Sequence, residues 1–135
     1  MRLLLLPAFL GLALAFALAA EGRTQANPIL LGKVGFHNGY TISLQMPDGT
    51  AVTSIPAGTY AIRVIDYSKI HNFALGSMTT NARIFTGSVP ATGTKTYTVA
   101  LTPGKYAYAC SAHPFSMNGT FVVTDPNAPA TTTTP

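Results

Sequence analysis

The 135-residue chain has one cysteine, no tryptophan and only four acidic residues against eight basic ones. A single cysteine excludes an intramolecular disulfide framework. The basic residues beyond the N-terminus, Arg23, Lys33, Arg63, Lys69, Arg83, Lys95 and Lys105, are scattered and form no run. The formal charge of +4 is therefore spread out and gives no footprint for nucleic-acid binding. Asp48 and Asp66 are far apart in the sequence and have no partner pattern, so a hydrolytic carboxylate pair is unsupported. With three histidines and one cysteine, neither a binuclear copper centre nor a multicopper oxidase fits within this chain.

What is present begins with an apolar N-terminus. Met1 and Arg2 supply a short positive start, residues 3–18 are apolar apart from Pro7 and Gly11, and Ala17-Leu18-Ala19 has the small-x-small form of a cleavage site. Residues 1–20 read as a signal peptide, which implies export to the periplasm or the cell exterior. The length also approaches that of a membrane anchor, the competing reading. Removing the signal leaves roughly 115 residues, enough for one domain with one core. No stable membrane association is expected after cleavage, and the domain is expected to be a monomer.

Residues 21–124 read as an all-β domain. Residues 41–46 alternate with period two, Pro47-Asp48-Gly49-Thr50 is a turn sequence, and residues 51–55 form a short return strand. In residues 59–67, Tyr60, Ile62 and Val64 share one face and Arg63 takes the other. Residues 94–101 place Tyr97, Val99 and Leu101 together. Residues 105–110 form a strand, and residues 119–124 close the domain. Residues 76–90 have no clear period and read mainly as loop. Short strands with frequent turns indicate a β-sandwich or barrel. Residues 125–135, rich in Thr, Pro and Ala, read as a disordered tail.

The cysteine opens the run Cys110-Ser111-Ala112-His113-Pro114-Phe115-Ser116-Met117, and His71 lies upstream in Ile70-His71-Asn72-Phe73. A buried inert thiol or an intermolecular disulfide would account for a lone cysteine, but not for these neighbours. One thiolate and two imidazoles suit copper or zinc, and a weak axial thioether tilts the choice to copper. Cys110 ends an alternating strand, Pro114 limits the turn, and Asn118-Gly119 permits the return, so one short loop can present three donors. Ser111 beside Cys110 and His113 lacks an orienting acid, which leaves a cysteine protease unsupported. His37 has no nearby partner and reads as a surface or structural histidine. Met46 and Met78 read as packing residues, with an accessory copper(I) role for Met78 as the competing reading.

These motifs resemble the cupredoxins, the small blue-copper family with plastocyanin-like and amicyanin-like members. The likeness spans residues 34–124. It rests on His71-Asn72-Phe73, on Pro103-Gly104-Lys105-Tyr106-Ala107-Tyr108-Ala109-Cys110, and on the Cys-x2-His-x3-Met loop. The loop is one residue shorter before the methionine than plastocyanin-like loops, and one longer than amicyanin-like ones. The resemblance implies a Greek-key β-sandwich holding one type 1 copper, with His71, Cys110 and His113 equatorial and Met117 axial. It also implies that the backbone N–H of Asn72 donates to the thiolate and that Tyr106 anchors the loop before the last strands.

The function implied is one-electron transport between transient redox protein partners, without enzymatic activity. Copper delivery or storage is the first competing reading, and a sandwich module acting through protein–protein contact is the second. Pro114 and Phe115 beside His113 form an apolar surface suited to docking.

Overall fold

Period-two alternation organises the chain into two facing sheets. The computed structural model describes residues 25–129. The expected signal peptide at 1–20 and residues 130–135 of the expected tail at 125–135 lie outside the described residues. Nine strands occur among the described residues: β1 Ile29–Val34, β2 Ile42–Gln45, β3 Ser54–Pro56, β4 Gly58–Asp66, β5 Ala74–Ser77, β6 Arg83–Thr86, β7 Gly93–Leu101, β8 Gly104–Ala109 and β9 Asn118–Thr124. One sheet has the order β2-β1-β4-β7 and the other β3-β9-β8-β5-β6. The β1–β4 and β3–β9 pairs are parallel, and the remaining pairs are antiparallel. The result is a Greek-key β-sandwich, the architecture expected from the sequence.

The core follows the predicted faces. Tyr60, Ile62 and Val64 of β4 are buried, as are Val99 and Leu101 of β7, while Arg63 is exposed. The opposing sheet contributes Leu75, Phe85, Tyr106, Phe121 and Val123. Rings bridge the layers, with Phe85 stacked on Tyr97 at 3.9 Å between centroids. The Tyr106 hydroxyl donates to the Thr102 carbonyl at 2.9 Å and accepts from the Thr102 N–H at 3.1 Å. Tyr106 thereby ties the turn before β8 to the core, the anchoring role expected of it.

The structure refines the sequence reading in three places. Residues 76–90 are mainly loop, as expected, but they contain the end of β5 at Ser77 and the edge strand β6, Arg83–Thr86, of which only Phe85 is buried. The expected return strand at 51–55 pairs with β2 only through the Gln45–Ala51 bridge; Ser54–Pro56 instead joins the other sheet beside β9. β1 was not anticipated, because its inward face reads Leu30, Gly32, Val34 and the glycine hides the alternation. A Cβ on Gly32 would stand 3.0 Å from the Phe73 ring, so the absent side chain makes room for that phenylalanine.

Candidate metal centre

Strand register delivers the two anchor residues. Ala74 of β5 pairs with Ala109 of β8, so His71, just before β5, and Cys110, just after β8, emerge at the same end of the sheet. The approach to His71 is a tight turn. The Asp66 carboxylate accepts the Ser68 N–H at 3.0 Å, and the Ser68 carbonyl accepts the His71 N–H at 3.3 Å. His71, Asn72 and Phe73 are all buried.

The loop after Cys110 folds back on itself. The Cys110 N–H donates to the Met117 carbonyl at 2.9 Å, and the His113 carbonyl accepts the Met117 N–H at 3.0 Å. The Asn118 amide donates to the Pro114 carbonyl at 2.8 Å. Cys110 and Met117 are fully buried, His113 is half-buried, and Phe115 is 100% exposed at the tip. Met117 is thus a buried loop residue whose backbone pairs with that of Cys110.

His71, Cys110 and His113 meet. Their donor atoms all lie within 4.8 Å of one another. The two Nδ1 atoms are 3.1 Å apart, and Cys110 Sγ lies 3.8 Å from His71 Nδ1 and 3.6 Å from His113 Nδ1. With bond lengths of about 2.05 Å to nitrogen and about 2.3 Å to sulfur, a trigonal ion separates N from N by about 3.6 Å and N from S by about 3.8 Å. Both sulfur–nitrogen edges match, and the nitrogen–nitrogen edge is tighter by about half an ångström. The residues fit an ion of this size and softness.

Hydrogen bonding points the same way. A histidine buried for structural reasons has its ring nitrogens satisfied. Among the described residues, His71 Nδ1 faces only the other two donors, and His71 Nε2 is buried without a hydrogen-bond partner. Three convergent lone-pair donors in a dry site repel one another unless a cation or proton lies between them.

Asn72 differs from expectation. The polar contacts at Cys110 Sγ are with the Nδ1 atoms of the two imidazoles, and the Asn72 N–H is not among them. Its side chain instead accepts the Ser111 N–H at 2.8 Å and donates to Ser111 Oγ and the Gly87 carbonyl, each at 2.8 Å. The residue after one histidine thereby clamps the residue after the cysteine.

Tyr40 was missed by the sequence reading. It lies at an exposed turn with no motif around it, yet its ring packs edge-on against both His71 and His113. His37 is not a member of the three-donor cluster. His37 stacks on Phe36 at 4.0 Å, and Met78 is half exposed.

The strand order together with the likeness to solved structures defines the class: the chain has the cupredoxin fold. The similar solved structures include the copper protein rusticyanin, at 19% identity with a TM-score of 0.55 over 71% of this chain and 76% of that one. They also include rusticyanin from Thiobacillus ferrooxidans, at 19% identity, a TM-score of 0.52 and the same coverage. Reduced rusticyanin aligns at 18% identity with a TM-score of 0.53, over 74% of this chain and 82% of that one. No protein-family model matches the chain, and no curated protein matches its sequence.

Proposed function

We propose that the protein is an exported carrier of single electrons that holds one type 1 copper ion. His71, Cys110 and His113 would be the equatorial ligands and Met117 the axial one. The observation that carries this reading is the convergence of one buried thiol and two imidazole Nδ1 atoms within 4.8 Å. The likeness in fold to rusticyanin, itself a copper protein, supports it.

When bound, copper supplies the one-electron couple. The chain's contribution is rigidity and exclusion of water. Cys110, His71 and Met117 are fully buried on a frame fixed by β5, β8 and Asn72. Such a frame limits ligand rearrangement between the two oxidation states. Four protein ligands also fill the site, whereas catalytic metal centres keep an open position; this favours a carrier over an enzyme. His113 is the ligand nearest solvent, and Pro114 and Phe115 beside it offer an apolar contact for a transient redox partner.

Redox titration of copper-loaded protein tests the carrier reading against delivery or storage. A carrier cycles reversibly by one electron and retains its copper in the presence of a competing copper(I) chelator. Loss of the metal on each reduction would instead favour delivery.

A further inference from the structure

No hydrogen bond from the described residues orients either imidazole of the cluster at its second ring nitrogen. Metal-binding histidines almost always donate their second ring N–H to a carboxylate, a carbonyl or water, which fixes the ring. Here the Nε2 of His71 is buried without a partner, and the side-chain hydrogen bonds of both imidazoles run only through Nδ1. Ring packing is the protein contact left to orient them.

The packing comes from Tyr40. Its ring centroid lies 5.1 Å from that of His71 at an interplanar angle of 72°, and 4.8 Å from that of His113 at 73°. The two imidazoles lie 4.8 Å apart at 69°. The three rings therefore form a nearly equilateral cluster in which each is edge-on to the other two, the arrangement that ring quadrupoles favour.

Tyr40 is itself held by the excursion between β1 and β2. Its neck is closed by the Gly35 N–H donating to the Thr41 carbonyl at 2.8 Å. Gly35 has φ +70°, and a Cβ there would stand 2.6 Å from Ser68 Cβ and 3.0 Å from His71 Cδ2, so the neck sits directly on the His71 segment. Phe36 packs edge-on against Tyr67 at 5.2 Å and secures the outer side. The Tyr40 hydroxyl makes no hydrogen bond to the described residues, and the residue is 58% exposed. Its ring contacts are spent on the two histidines.

We propose that Tyr40 is a positioning residue that sets the angle between His71 and His113, aims both Nδ1 atoms at Cys110, and covers the solvent side of the cluster. The metal-related part of this role rests on the copper reading above; the cover over Cys110 does not.

The test uses the full chain carrying Tyr40→Phe, Tyr40→Leu or Tyr40→Ala. In metal-free protein, the readout is alkylation of Cys110 by iodoacetamide. In copper-loaded protein, the readouts are copper loss to a chelator and the electron paramagnetic resonance spectrum. Tyr40→Ala and Tyr40→Leu should speed alkylation and copper loss by about tenfold, the scale of losing two ordinary aromatic contacts, and should alter the spectrum. Tyr40→Phe should stay close to wild type in every readout. Wild-type behaviour of Tyr40→Ala would overturn the proposal, as would a Tyr40→Phe variant as defective as Tyr40→Ala. Wild-type protein that takes up no copper would overturn the metal reading instead, and alkylation alone would then decide the role of Tyr40 as cover.

Discussion

Asn72 makes three hydrogen bonds from one buried side chain, to the Ser111 N–H, Ser111 Oγ and the Gly87 carbonyl. Each is worth about 0.5–1.5 kcal/mol net, so Asn72→Ala should cost about 2–4 kcal/mol. Thermal melts of the metal-free protein read this directly, and a loss below half a kcal/mol would show that the clamp is ornamental. Asp66 carries a second residue-scale prediction. Burial pushes its carboxyl above the ordinary 3.8, while the Ser68 N–H and the charge of His71 pull it part of the way back. A raised carboxyl binds its proton more tightly in the folded state. Its contribution is therefore full below the unfolded value and is lost as pH rises through the folded one. Asn keeps an acceptor for the Ser68 N–H without the charge. Asp66→Asn should thus flatten the fall in metal-free stability just above pH 3.8; parallel melting curves for both proteins across that range would refute this.

At the scale of strands and loops, legibility tracked how many inward side chains a segment carries. β4 presents Tyr60, Ile62 and Val64 in strict alternation, and its face was readable without a structure. β6 presents only Phe85, and its place at the sheet edge comes from pairing with β5, which no local pattern encodes. β1 was invisible because Gly32 fills an inward position. Phe85 should nevertheless be costly to lose, since it stacks on Tyr97 across the sandwich and on Phe73 at 6.2 Å. Phe85→Ala should destabilise by about 3–5 kcal/mol, measurable by urea denaturation. The β1–β2 excursion makes a parallel case. Gly35→Ala forces a Cβ into φ +70° and against Ser68 and His71. About 1–2 kcal/mol of backbone strain alone should appear in the melt, and a neutral result would mean the excursion yields.

For the whole molecule, the residues proposed to hold the ion could be singled out from their types and spacing, because chemistry limits which side chains serve a soft ion. What joins them depends on register across long sequence separations. The Ala74–Ala109 pair that levels His71 with Cys110, and the Tyr40 contact made from the opposite sheet's β1–β2 connection, exist only once the sandwich is closed. The same register implies a frame that forms without metal, so the metal-free protein should already melt cooperatively. Added metal should raise the midpoint by mass action rather than create the fold. The central claim is that Cys110 supplies a thiolate to copper in that preformed frame. Copper(II) added to purified protein, followed by visible absorption beside Cys110→Ser, tests it most directly. The account predicts an intense blue colour in the wild type and none in a folded Cys110→Ser variant. A colourless wild-type protein, or colour that survives loss of the thiol, would contradict it.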